Sequence, residues 1–290
     1  MLKGLALTPP TVGRISIGKV VEKNGKRLPE KDDEFTITSQ VQSQGQWVNH
    51  PLDKELRKTN EKLRSIPIKL LFDDPELNLR AQYSLFDRST GRPMCVGNGE
   101  TCKRMVNGKL ESHDCPTPES CTVAVNNQCK PYGRMNVRIG DDDELGSFVF
   151  RTTGYNSIRT LSTRLSYFSA VSGGMLSTMP LELRIRSKST TQSFRAAIYY
   201  VDLVVRDGLS LNDAIQQAKS EYDARQQAGF NQRALDDVAR KGFTAGAFEE
   251  SEDEGLSVVE EFYPESKVTD AQVQTSDTLA DKLTDKATQL

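Results

Sequence analysis

The chain has 290 residues, 36% of them hydrophobic and 27% charged, which allows a sizeable core in one large domain or two ordinary ones. Two histidines exclude a three-histidine metal centre, one Trp and 8 Tyr speak against a carbohydrate-stacking surface, and five cysteines, an odd number, against a fully paired disulfide framework. The near-balance of 38 basic and 40 acidic side chains excludes neither partner sign, no apolar run reaches the length of a membrane-spanning helix, and MLKGLALTPP meets its prolines too early for a signal peptide.

In chain order, residues 1–11 read as a flexible N-terminus and 12–206 as a β-rich core. Val12, Ile15 and Ile17 lead to Lys23-Asn24-Gly25-Lys26, a hairpin turn signal, and Phe35, Ile37 and Ser39 alternate on the return. Strands are expected at 66–73 and 79–87. Between Gly91 and Pro131 apolar periodicity collapses into Gly, Asn, Pro and all five cysteines, a cysteine-rich loop that something other than a core must hold. Strands resume at 134–139 and 146–151. Ser157 to Ala170 fits an amphipathic helix with Ile158, Leu161, Leu165 and Phe168 on one face, closed by the glycines after Ser172. Strands at 181–187 and 196–206 follow, the first alternating Leu181, Leu183 and Ile185 with Glu182, Arg184 and Arg186. Residues 207–248 read as a helical segment, capped by Ser210 with Asp213 and broken near Gly229. The fold class is α+β: a β-rich core, a cysteine-rich and zinc-clipped insertion, and a helical C-terminal appendage.

Charge divides unevenly. Residues 249–290 carry 12 acids and 3 bases, and EESEDEGLSVVEEFYPE (249–265) carries eight acids and no Lys or Arg. Such a block self-repels and is expected to be a disordered, solvating tail. It also fits competition for a basic face or docking on a basic partner, since Phe262-Tyr263-Pro264 supplies an apolar anchor that a pure solubiliser does not need.

Cys95, Cys102, Cys115, Cys121 and Cys129 all fall within 35 residues. Without a secretory signal, clustered thiols point to a metal rather than disulfides. Zn2+ takes four soft ligands in a tetrahedron and adds folding energy to a loop that lacks a core. The expected ligands of a structural zinc are Cys102, Cys115, Cys121 and Cys129, with Cys95 or His113 as alternates. The spacing is irregular, unlike paired C-x-x-C knuckles. Redox chemistry and inert thiols remain open.

Arg184, Arg186 and Lys188 alternate along one strand and should share a face. Arg195 joins them if 181–187 and 196–206 form a hairpin, and Arg151, Arg159 and Arg164 extend the surface. Such a face suits phosphate or an acidic partner, and equally an ordinary solvated sheet. Tyr155, Tyr167, Tyr199 and Tyr200 could stack bases or serve as core. Asp141, Asp143 and Glu182 are the carboxylates from which a metal-dependent nuclease could be built, although DDDELG also reads as a polar turn. No phosphate loop, nucleophile elbow or zinc-protease motif occurs in a fitting context, so no catalytic set emerges.

The blocks GRPMCVGNGETCKR (91–104), CPTPESC (115–121), CKPYGRMNVRIG (129–140), GSFVFRTTGYNSIRTL (146–161), MPLELRIRSKSTTQ (179–192) and YYVDL (199–203) carry a resemblance. Their order resembles a bacteriophage and mobile-element group described as hydrolases or metal-binding proteins. It is more distantly similar to the recombination directionality factors that partner large serine integrases. The resemblance covers roughly residues 10–205. It implies a cytoplasmic protein of a bacterial host that binds an integrase, or another recombination protein, on DNA and biases it toward excision. That mechanism needs differential affinity for two integrase states and no active site. The alternatives are a zinc-stabilised DNA-binding accessory of replication or recombination, and the nuclease.

Overall fold

The computed structural model describes residues 10–243 with Val258, Phe262 and Tyr263, except 24–25, 44–45, 58–60, 125–127, 142–145 and 192–194; of 19–23, 26–32, 46 and 243 it describes the backbone. The expected flexible N-terminus and the acidic tail therefore lie almost wholly outside the described residues, as do Asn24, Gly25 and Asp143.

Thr11–Lys23 (β1) and Lys26–Ser43 (β2) form the expected long hairpin, with Ile15, Phe35 and Ile37 buried at alternate positions. Gln46–Asn49 (β3) and Pro51–Leu56 (α1) follow, neither of them expected. His50 caps α1 through its ring nitrogen, and the buried Asp53 accepts the backbone N–H of Ile37, pinning the helix to β2. Ser65–Leu70 (β4) and Leu79–Phe86 (β5) match two expected strands, joined through a short helix, Pro75–Asn78 (α2).

The segment expected to be a loop is instead a meander. Pro93–Gly97 (β6), Thr101–Val106 (β7) and Lys109–Asp114 (β8) pair in succession onto β5, and Thr117–Ser120 (α3) follows. β7 and β8 escape a periodicity reading because every residue of β8 is exposed or only partly buried and β7 buries only Cys102, so no apolar stripe marks them.

Lys130–Ile139 (β9) organises the rest of the sheet. One edge pairs with Ser147–Thr152 (β10); the other is shared, Lys130 to Met135 facing β5 and Val137 to Ile139 facing β4. β1 lies parallel to β10, so the sheet runs β3-β2-β1-β10-β9-β5-β6-β7-β8, with Leu181–Ser189 (β11) and Ala197–Val205 (β12) continuing from β4.

Along β9, Met135, Val137 and Ile139 are buried and Arg134, Asn136 and Arg138 are not, the signature of a strand with one face on the core. The core is completed by Phe148, Phe150, Leu181, Leu183, Val201 and Leu203 and by helix Tyr155–Val171 (α4), whose buried Ile158, Leu161, Leu165 and Phe168 are those the periodicity picks out. Each fully buried Leu, Ile or Phe contributes roughly 1.5–3 kcal/mol relative to its exposed state. The C-terminal helices are Leu211–Gln227 (α5), which carries the Ser210–Asp213 capping box, and Gln232–Phe243 (α6), separated at Gly229 by a positive φ of 88° that favours glycine. No described helix is long and apolar enough to cross a membrane.

Candidate functional site: the cysteine module and two basic faces

The β6–β8 meander brings the cysteines into one small module. Cys95 lies on β6 opposite Arg104, Cys102 on β7 opposite Gly97 and His113, Cys115 just beyond β8, Cys121 at the end of α3, and Cys129 at the start of β9. The backbone is drawn tight here. A Cβ on Gly97 would stand 2.7 Å from Cys102 Cβ and 2.8 Å from Cys115 Sγ, so only glycine fits. All five thiols are free. Burial pushes the Cys129 thiol up to about 12, with the other four sulfurs adding repulsion. Burial likewise pushes Cys102 up to about 11, helped by a hydrogen bond with Cys95. The Cys102 thiol donates to the carbonyl of Asp114 at 3.6 Å, and the Arg104 guanidinium lies 3.9 Å from its sulfur. His113 Nε2 stands 3.3 Å from the Glu111 carboxylate on the same strand. The donor chemistry fits zinc, yet among the described residues no three His, Cys, Asp or Glu side chains stand at ligating geometry. Clustering in sequence has become proximity in space, without a formed tetrahedron.

The predicted basic strand face is a hairpin, β11 with β12, covered partly by α4. Arg184 pairs with Glu182, and Arg186 shares the buried Asp202 carboxylate with Arg164 at 3.4 and 3.1 Å. Lys188 donates to Asn156 at 2.7 Å. Arg195 sits in the hairpin turn and Arg159 lies exposed on α4. Glu182, expected on the charged outer face, is buried, because Arg184 and the Asp207 backbone N–H satisfy its carboxylate. Arg184, Arg186 and Arg164 therefore answer to neighbouring acids, and the net charge of the face is smaller than its sequence indicates.

Arg151 belongs to a different surface. Across β10, β9 and β5 it stands opposite Arg134, which stands opposite Arg80, on the face of the sheet turned away from the core. Next along the same face come Gln82 opposite Tyr132, then Ser84 opposite Lys130, with Phe86 beyond. This basic row was hidden from sequence reasoning because its members lie on strands far apart in the chain; only the pairing register reveals it. On its aromatic end sit Phe262 and Tyr263. Phe262 is buried edge-on against Phe86 and Tyr132, at ring-centroid distances of 4.9 and 5.8 Å. Tyr263 donates its hydroxyl to the carbonyl of Gln128 at 2.8 Å. The anchor read from the tail is therefore a contact with the core.

The candidate nuclease carboxylates are engaged elsewhere. Asp141 accepts from Arg206 at 2.8 Å, which holds its carboxyl below the usual carboxylate range, and Glu182 is the buried partner of Arg184.

Neither a curated protein nor a solved structure matches the chain. A family model described as Gp3-like, recombination directionality factor-like, matches residues 12–206, which is about two thirds of the chain and runs from the first strand to just past β12. The chain belongs to the Gp3-like, recombination directionality factor-like family.

Proposed function

We propose that the protein is an accessory factor of DNA recombination that binds an integrase and biases it toward excision. The family match across β1 to β12 carries this reading. It needs no catalytic centre: a factor that binds one integrase conformation more tightly shifts the equilibrium by its differential affinity, and about 1.4 kcal/mol of difference gives each tenfold shift. The test is capture of the tagged protein from its host, with half of the lysate treated with nuclease, followed by recombination of left and right junction sites by the recovered integrase. Recovery of a serine integrase from both halves, with the added protein promoting junction-site recombination and suppressing integration, is the expected result. Recovery only without nuclease treatment would mean that DNA is the bridge, and the accessory DNA-binding reading would replace this one. That reading predicts salt-sensitive binding that Arg184→Ala with Arg186→Ala weakens.

The same reading includes a structural zinc held by four of the five cysteines, Cys102, Cys115, Cys121 and Cys129 foremost. Its support is the convergence of the thiols on a module with little core of its own.

A further inference from the structure

The outer face of β5, β9 and β10 combines features that the cysteine module and the β11–β12 hairpin do not use. Arg80, Arg134 and Arg151 stand side by side in register, which gives this face a row of basic side chains. A cavity beside it is walled by Arg80, Arg134, Val96, Phe86 and Tyr132, a basic end running into an aromatic one. Phe86 and Tyr132 meet edge to face at 5.5 Å, a surface suited to a further ring. The chain supplies that ring itself. Phe262 and Tyr263 cover the aromatic end, Lys130 donates to the carbonyl of Phe262 at 3.2 Å, and the Arg88 guanidinium lies 4.6 Å over the Tyr263 ring.

Two facts separate this contact from ordinary core packing. The groove lies within the family domain, residues 12–206, whereas the segment that covers it lies outside. That segment is also part of 249–265, the most acidic stretch of the chain, and its aromatic pair is flanked by Glu260, Glu261 and Glu265. An aromatic pair from an acidic stretch of sequence, resting at the aromatic end of a groove whose other end is basic, has the chemistry of a peptide in its binding site. We propose that this groove docks acidic, aromatic-bearing segments of a partner protein, and that Phe262 and Tyr263 close it in the free protein as a tethered internal competitor. A tethered competitor acts at an effective concentration on the order of mM, so an incoming segment must exceed that advantage or act once the tether is displaced.

The test uses the full chain and a fluorescent peptide of residues 255–266. Wild type should bind the peptide weakly, and the double variant Phe262→Ala with Tyr263→Ala at least about tenfold more tightly, because the internal competitor is gone. Adding Arg134→Ala should reverse that gain, and a peptide with both aromatics replaced by Ala should not bind. Equal, negligible binding by wild type and a double variant with unchanged circular dichroism would overturn the proposal. Should the double variant unfold, a protease site placed within 244–257 of the wild type gives a second route. After cleavage the C-terminal piece should leave on dilution and the peptide should take its place; a piece that stays bound against excess peptide is a permanent strut, which also overturns the proposal. Displacement of the peptide by a single-stranded oligonucleotide, together with binding of the Ala-substituted peptide, would mean that the groove reads charge alone, and the peptide reading would fall.

Discussion

Two aspartates show how environment sets the sign of a residue's contribution. Asp73, on the connection between β4 and α2, accepts the Ser177 backbone N–H at 2.8 Å, and its own N–H donates to the carboxylate of Asp236 at 3.1 Å. Burial raises the Asp73 carboxyl above its ordinary value, and burial followed by the Asp73 charge raises Asp236. A raised carboxyl favours the protonated folded state, so its stabilising contribution is fully present below the ordinary value of 3.8 and is lost as pH rises through the raised one. Asp87 is the reverse case. Hydrogen bonds from Ser89 and Thr90 lower it to about 2, so its contribution is present above its ordinary value of 3.8 and is lost as pH falls toward 2. Asp73→Asn, which keeps an acceptor for Ser177 and removes the buried charge, should match or exceed wild-type stability at neutral pH. That advantage should shrink toward pH 4. Asp73→Ala, which orphans the Ser177 N–H, should be less stable throughout. Urea unfolding at both pH values decides it, and an Asn variant weaker than wild type at neutral pH would contradict the argument.

At the scale of elements, the β7–β8 end of the meander has little packing of its own. β8 buries nothing, and Met94, Met105 and Leu110 are exposed. Strands with so little buried apolar surface open readily unless another bond closes them, which is where a metal held by thiols has most effect. Purified protein should carry one zinc per chain. In Cys121→Ser, or after chelation, amide protection should fall across 93–129 while β9, β10 and α4 keep theirs. A metal-free protein with full protection of β6 to β8 would remove zinc from the account. The meander also shows what the sequence conveyed and what it did not. A strand with one face on the core, such as β9, and helix α4 are legible because burial writes alternation or helical spacing into them. β7 and β8 are not, since their polar faces carry no such mark. One signal was present: Asn107 and Gly108, both with positive φ (48° and 75°), make the two-residue hairpin turn between β7 and β8. The arginine row had no local signal, because register between distant strands is a property of the folded sheet.

For the whole molecule, the question is whether the helical appendage folds with the core or beside it. Sequence reading makes residues 207–248 a helical segment, and contacts tie α5 and α6 to the core at several points. Ala214 and Ala218 of α5 are fully buried members of the main apolar cluster. Lys69 of β4, itself buried, reaches both the carbonyl of Thr178 and the Glu221 carboxylate of α5. From α6, Gln232 donates to the carbonyl of Leu71 at 3.0 Å, Arg240 pairs with Asp74 at 2.7 Å, and Ala239 packs with Phe72 and Leu77. Losing α5 would expose core surface around Ala214 and Ala218 and take the Glu221 carboxylate from Lys69, so melting the appendage also weakens the core. Core and appendage should therefore unfold together. Trp47, the single tryptophan, lies on β3 at the far edge of the sheet and stacks with Arg14 at 3.8 Å, so its fluorescence reports the core. Far-ultraviolet circular dichroism reports the helices. The two unfolding midpoints should coincide, and Ala218→Leu, which overpacks the α5 contact by about 1–3 kcal/mol, should lower both equally. A shift in helicity that leaves the Trp47 midpoint in place would make the appendage an independent unit.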